Sequence, residues 1–315
     1  MKLQIWMPLK VSLLVIGLSF LGCGEEDPAL EVAFVTQWGG SGSEPGQFKE
    51  PIGVALDTER HIYVTDAGNN RVQKFTSDGT FLKEWGKRGR APGEFDRPMH
   101  LAINSQDLIY VPEYGNDRVQ VLDLEGNYRF AWGKTGKGQG QFDAPAGVSF
   151  DREGNVLVAD FFNHRIQVFD SSGAFIRPFG SEGHDFGQLY YPTDVDVVAK
   201  GNILVADAYN HRIQKFSAAG KPLQSWGSKG SKPGQFDVAN AVVQDAEGRI
   251  YAADFYNHRI QIFDAEGKYL HHFGSKGSGE GQFDSPTDVA VNSAGEIFVV
   301  DFGNDRIQKF RLLKP

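Results

Sequence analysis

An all-β fold, a six-bladed β-propeller, is what this sequence predicts, and three observations predict it. First, one stretch recurs at constant spacing. Asp66, Glu113, Asp160, Asp207, Asp254 and Asp301 stand 47 residues apart, with no insertion or deletion. A fixed period in the range of about 20–50 residues marks a solenoid, a propeller or an array. Second, each repeat divides into short β-branched or alternating runs separated by glycine-containing turns, which is strand patterning rather than helix patterning. Third, one run of the pattern stands alone at the N-terminal end and is missing after the last repeat, as ring closure requires.

The unit that begins at Pro145 shows the elements in order. Residues 146–151 are apolar and β-branched enough for a buried strand, a. Arg152-Glu153-Gly154 forms a tight turn, and residues 156–159 form strand b. Residues 160–164 are a loop, and residues 165–170 alternate polar and apolar as a half-buried strand c should. Ser172-Gly173 is a hairpin turn into strand d, residues 174–179. A glycine-rich connection, 180–191, leads to Pro192 and the next unit. Four antiparallel strands per unit and six units give the propeller. Residues 34–38 match strand d, with Trp38 in register with Trp85, Trp132, Phe179, Trp226 and Phe273, while no strand d follows the last strand c, 306–311. The first strand is therefore expected to complete the last blade, leaving no free edge.

Other repeated positions read as scaffold. Phe48, Phe95, Phe142, Leu189, Phe236 and Phe283 are expected to fill the gaps between blades. A proline opens strand a in every unit but the fifth, where Ala239 stands. Each repeated acid precedes an arginine by five residues, from Asp66/Arg71 to Asp301/Arg306. Six copies of one pair are a structural feature, and a bidentate guanidinium–carboxylate fork is the expected geometry.

Composition narrows the function. A net charge of -8 argues against a nucleic-acid binder, which needs lysine and arginine to neutralise phosphates. The basic run from Lys83 to Arg90 is short and reads as a solvated loop. No nucleophile elbow, phosphate-binding loop or zinc-protease helix motif is present. One cysteine, Cys23, rules out an intrachain disulfide. It follows Lys2, Lys10 and an apolar run, 11–21, that is short for a bilayer span and suits a secretory signal.

Phe20-Leu21-Gly22-Cys23 resembles a bacterial lipoprotein signal, in which the chain is cut before a cysteine that is then lipidated. The resemblance implies a signal peptide at 1–22 and a lipidated Cys23 with a polar tether to residue 31, ahead of the propeller expected over 32–315. It also implies a bacterial cell-envelope location, exported and lipid-anchored in the membrane. Asn-His-Arg-Ile-Gln, after an acidic residue and before an aromatic one, resembles the NHL repeat across residues 32–313. That family includes RNA-binding and protein-binding propellers, extracellular sensor domains and a zinc-dependent lyase that amidates peptides. The lyase places histidines directly after the blade proline. Here Ile52, Met99, Ala146, Thr193, Asn240 and Thr287 fill that position, so the motif does not carry over. His164, His211 and His258 sit in three separate loops and are expected to make local hydrogen bonds.

Functional candidates lie where the repeat breaks on the face carrying the b–c loops and d–a connections, since a rigid scaffold positions its loops for binding. Two after the blade proline stand His100, Asp194 and Asp288, with Asn240 nearby. These are expected at the channel mouth, where they either hold a metal, calcium or zinc, or line a water-filled polar channel. The second break is aromatic. Phe161, Phe162, Tyr209, Phe255 and Tyr256 make a crescent over blades three to five, and the adjoining connection adds Tyr190 and Tyr191. Such rings form a recognition surface or pack between blades. The leading expectation is a monomeric, non-enzymatic binding, scaffolding or sensor module for a protein, peptide or glycan ligand, with no cofactor and no nucleic acid. The alternative is a metal-dependent hydrolase or lyase using His100, Asp194 and Asp288.

Overall fold

In the computed structural model, residues 30–313 are described; the expectations for residues 1–22 and Cys23 lie outside them. Six four-stranded antiparallel sheets are arranged as blades, each ordered a-b-c-d. Blade 3 comprises Pro145–Phe150, Val156–Asp160, Arg165–Phe169 and Phe175–Phe179. The last blade takes Pro286–Val291, Glu296–Asp301 and Arg306–Leu313 from the C-terminal end, and Glu31–Gly39 from the N-terminal end. Phe34 faces Phe310 and Trp38 faces Ile307 in that closing pair. The first and last strands thus hydrogen-bond to each other and close the ring as expected.

The core lies between blades. Phe48 packs with Val54, Ile62, Val64 and Phe75 of blade 1 and with Phe298, Val300 and Ile307 of blade 6. Its five counterparts are likewise buried without exposure. Each blade is a two-faced sheet, so it buries both faces only by having neighbours on both sides.

The repeated acid anchors each blade to the connection that precedes it. In blade 3, Asp160 Oδ1 accepts the Asp143 N–H at 2.9 Å. Its Oδ2 accepts Arg165 Nε at 2.8 Å and Gln167 Nε2 at 3.0 Å, and Asn163 Nδ2 donates to both oxygens. The expected bidentate fork does not form. Arg165 gives the acid only its Nε, and its Nη2 donates to the carbonyls of Gly138 at 2.7 Å and Gln141 at 3.0 Å. The reason is a demand for donors: the connection exposes carbonyls that no strand satisfies, and a buried carbonyl needs a partner. All six Nε–carboxylate distances fall between 2.6 and 2.8 Å. Burial pushes the Asp66, Glu113, Asp160, Asp254 and Asp301 carboxyls upward, and the converging donors pull against it.

A second device ties each blade to the next. The b–c loops end in Asn70, Asp117, His164, His211, His258 and Asp305, all left-handed with φ between 51° and 56°. Each side chain accepts the backbone N–H of the residue before the next strand a: Arg97, Ala144, Tyr191, Val238, Ser285 and Glu50, at 2.8–3.1 Å. The three histidines thus hydrogen-bond across blades rather than locally.

Replacing one hub acid strands an arginine, an asparagine and a backbone amide at once. Breaking a buried pair by removing one partner costs about 3–5 kcal/mol. Asp254→Ala is expected to lower stability by that order in denaturant unfolding, and a loss under about 1 kcal/mol would show that the hub is dispensable.

Candidate functional site at the channel mouth

Strand a of blade 2 is not built like the others. Strand b there, Leu108–Glu113, contains Pro112, which has no N–H for the ladder. Strand a is consequently reduced to Ala102–Ile103, paired only with Tyr110 and Ile109. His100 stands outside the ladder that its counterparts Asp194 and Asp288 occupy, as Gly53 and Gly147 do in blades 1 and 3.

The structure brings these three together. His100 Nδ1 lies 3.5 Å from Asp288 Oδ2 and 3.8 Å from Asp194 Oδ1, longer than ordinary hydrogen bonds. All three are buried, and His100 lines the mouth cavity as well as the channel. Backbone amides of neighbouring blades orient the acids: Val242 donates to Asp194 at 3.0 Å and Val54 to Asp288 at 2.8 Å. Burial disfavours the imidazolium, but the Asp288 and Asp194 carboxylates outweigh it and push His100 up to about 9. Burial raises the Asp194 carboxyl, with the Asp288 charge adding to it against His100. Asp196, also in the channel, is pushed up to about 6 by burial. One ligand atom from each of His100, Asp194 and Asp288 lies within 4.8 Å of the others, so an imidazole and two carboxylates could hold a divalent ion. Asn240 is placed above them, donating from Nδ2 to the Thr287 carbonyl at 2.7 Å.

His100 divides two cavities. Below it, a channel of about 250 Å³ is lined by Asp194, Asp196, Asp288, Ser149 and strand-a valines. Above it, a cavity of about 190 Å³ forms the mouth. Its floor is Thr193, Asn240, Thr287, Met99 and Ile52, and its walls include Tyr114, Phe161, Phe255, Phe302 and Arg97.

The walls follow from the b–c loop. In blade 3 the loop is one 3-10 turn, Phe161–Asn163, which sends consecutive side chains to different surroundings. The first position lines the mouth in four blades, through Tyr114, Phe161, Phe255 and Phe302. The second carries Phe162, Tyr209 and Tyr256, which are 38%, 47% and 55% exposed. The rings make two groups. Phe161 contacts Phe162, Tyr191 and Tyr209 at centroid distances of 4.9, 5.1 and 6.5 Å, and Tyr114 meets Phe162 at 6.0 Å. Tyr190 meets Tyr191 at 4.5 Å. Phe255 contacts Tyr256 at 4.8 Å and Phe302 at 6.2 Å. Both groups border the mouth cavity.

Tyr114, Phe302 and Arg97 join the site although the sequence reading does not single them out. For the two rings a signal exists, a column of aromatic residues at one repeat position. Contiguity along blades three to five hides it, because the cavity lies on the axis where all blades meet. The glycines opposite the crescent also have a packing reason. A Cβ at Gly68 would lie 2.7 Å from the Lys49 carbonyl oxygen.

With this geometry in view, the chain is a six-bladed β-propeller, and three of its repeats match the NHL repeat. The NHL repeat family matches residues 48–75, 142–169 and 189–216. A family described as a 6-bladed beta-propeller matches residues 238–314. A search of curated proteins by sequence gave no match. Among solved structures, a protein of unknown function from Bacteroides thetaiotaomicron is 17% identical, with a TM-score of 0.70 over 90% of this chain and 76% of that one. Virginiamycin B lyase from Staphylococcus aureus is 13% identical, with a TM-score of 0.60 over 90% of this chain and 100% of that one. A gluconolactonase from Xanthomonas campestris is 14% identical, with a TM-score of 0.65 over 85% of this chain and 87% of that one. At such identities the likeness shows the fold alone.

Proposed function

We propose that this propeller is a monomeric, non-enzymatic binding module, exported and held on a bacterial envelope by lipid on Cys23. Its ligand is a protein, peptide or glycan, taken on the face of the b–c loops. The observation that carries the reading is the aromatic mouth: a cavity of about 190 Å³ walled by rings from four blades, with Phe162, Tyr209 and Tyr256 exposed around it. Ligand sites are concave and mostly apolar, with a few polar groups that orient the guest. Thr193, Asn240 and Thr287 supply those groups here. Flat rings give contact area at little entropic cost and dominate binding hot spots. Replacing Phe162, Tyr209 and Tyr256 together with alanine is expected to weaken capture of an envelope partner by at least roughly a hundredfold, since each hot spot contributes about 2 kcal/mol or more. The circular dichroism of the propeller should not change. Unchanged capture would sink the site.

The convergence of His100, Asp194 and Asp288 favours a second reading, a metal-dependent hydrolase or lyase working from the channel. Two of the proteins it resembles in fold are named as a lyase and a gluconolactonase. These residues would hold calcium or zinc, and such an ion would supply Lewis acidity. Metal analysis of protein purified without chelator tests it. Near-stoichiometric zinc or calcium that disappears in His100→Ala and Asp194→Ala supports the reading, and protein free of both ions retires it.

A further inference from the structure

Six side chains perform one task, and three of them are histidines. Asn70, Asp117 and Asp305 accept the next blade's N–H through an oxygen. His164, His211 and His258 accept it through Nδ1. An imidazole accepts at Nδ1 only while it is neutral; the imidazolium carries hydrogen on both nitrogens. Protonation therefore sets donor against donor at three consecutive blade junctions.

The three are not equivalent. His211 Nδ1 lies 3.7 Å from Asp237, and His258 Nδ1 lies 3.5 Å from Asp284, so each loses an acceptor role but gains a carboxylate. The matching residue at His164 is Tyr190, whose ring stacks on the imidazole at 5.2 Å and 9°. The charged groups around His164 are Glu182 and Lys137 from the connections, and Asp160 and Asp207, the two hub acids. Both hub acids are committed to their own arginines at 2.8 and 2.7 Å. Arg165 and Lys137 share the solvent pocket beside the imidazole with Glu182. No acid takes the place of Asp237 or Asp284.

The residue held by His164 is the ring that joins the aromatic group together. Tyr191 contacts Phe161, Phe162, Tyr190 and Tyr209 at 5.1, 5.9, 4.5 and 5.3 Å. Its φ is +53°, a left-handed conformation that a bulky residue adopts only when its surroundings impose it.

We propose that His164 is a proton-operated latch on the aromatic face: neutral, it pins Tyr191 to blade 3, and protonated, it expels the Tyr191 N–H and loosens the platform. Its consequence for ligand capture rests on the binding reading above; the latch itself does not. Burial opposes the charged imidazole and holds His164 below its ordinary value. A group depressed in the folded state contributes stability above its unfolded value, and that contribution is lost as pH falls through the folded one. The latch is thus closed at neutral pH and opens on acidification.

The test follows the amide itself in the full chain. Hydrogen exchange of the Tyr191 N–H and the His164 imidazole resonances are measured together against pH. In the wild type, protection of Tyr191 is expected to fall by at least about tenfold as His164 titrates, as local opening would give. His164→Asn supplies the neutral acceptor that Asn70 provides in blade 1, and should keep Tyr191 protected at low pH. His164→Asp, which copies the acceptor Asp117 of blade 2, serves if that variant does not fold. His211→Asn should leave the Tyr191 profile as in wild type. Protection that persists through the His164 titration overturns the latch, as does an identical loss in wild type and His164→Asn. Capture of the envelope partner on the same samples keeps the two readings apart. Capture lost on acidification in wild type but retained in His164→Asn carries the latch to the site. A pH-dependent amide with capture indifferent to the three ring replacements overturns the binding site and leaves the latch standing.

Discussion

Everything in this ring depends on a buried carboxylate that accepts from two directions at once. One oxygen takes a backbone amide from the incoming connection, 17 residues earlier, and the other takes an arginine Nε. The arginine then directs its Nη2 hydrogens to that same connection's carbonyls. The connection is the longest irregular stretch of the repeat and has few ladder bonds of its own. The hub replaces the missing ladder, so the stretch is fixed in length as well as in place. That is a physical reason for a period of 47 residues without a single insertion. Burying ion pairs brings little net stability, because desolvation offsets attraction. What the hubs supply is register: each blade can dock in one way.

A scaffold fixed in this manner frees the tips of its loops. Two adjacent positions of one short turn serve two surfaces, one facing the axis and one facing solvent. Ala67 and Ala208 occupy the axial position in blades 1 and 4 and are buried, which leaves room beside the rings of the other four blades. The mouth is therefore asymmetric although the backbone is nearly six-fold. Function on such a frame is written in departures from the repeat.

That division also decides what can be read from the chain alone. Strands, blade number and the acid–arginine pairing are legible because each is stated six times, and ring closure because one strand d stands alone before the first repeat. The approach of His100 to Asp194 and Asp288 is legible from register, since alternate strands point to one axis. The shortening of the inner strand that carries His100 is not, because it goes with a proline in the strand beside it. The cross-blade role of His164, His211 and His258 is hidden for a different reason. Their partners are backbone amides 27 residues away, and a backbone amide has no sequence signature. Tyr114 and Phe302 are visible as letters, but their convergence is a property of the axis.

His100 links the two parts of the site through one nitrogen. Two carboxylates buried this deeply call for a positive charge beside them unless one takes up a proton, which the raised Asp194 carboxyl favours. A proton on His100 Nδ1 meets that need, and so would a divalent ion held by the three residues. The two exclude each other at that nitrogen, since a metal ligand must be deprotonated there. With the proton in place, an imidazolium floors an apolar mouth whose lining contains Arg97 and no acid. The occupant of that one nitrogen therefore sets the charge between the channel and the mouth, since His100 lines both.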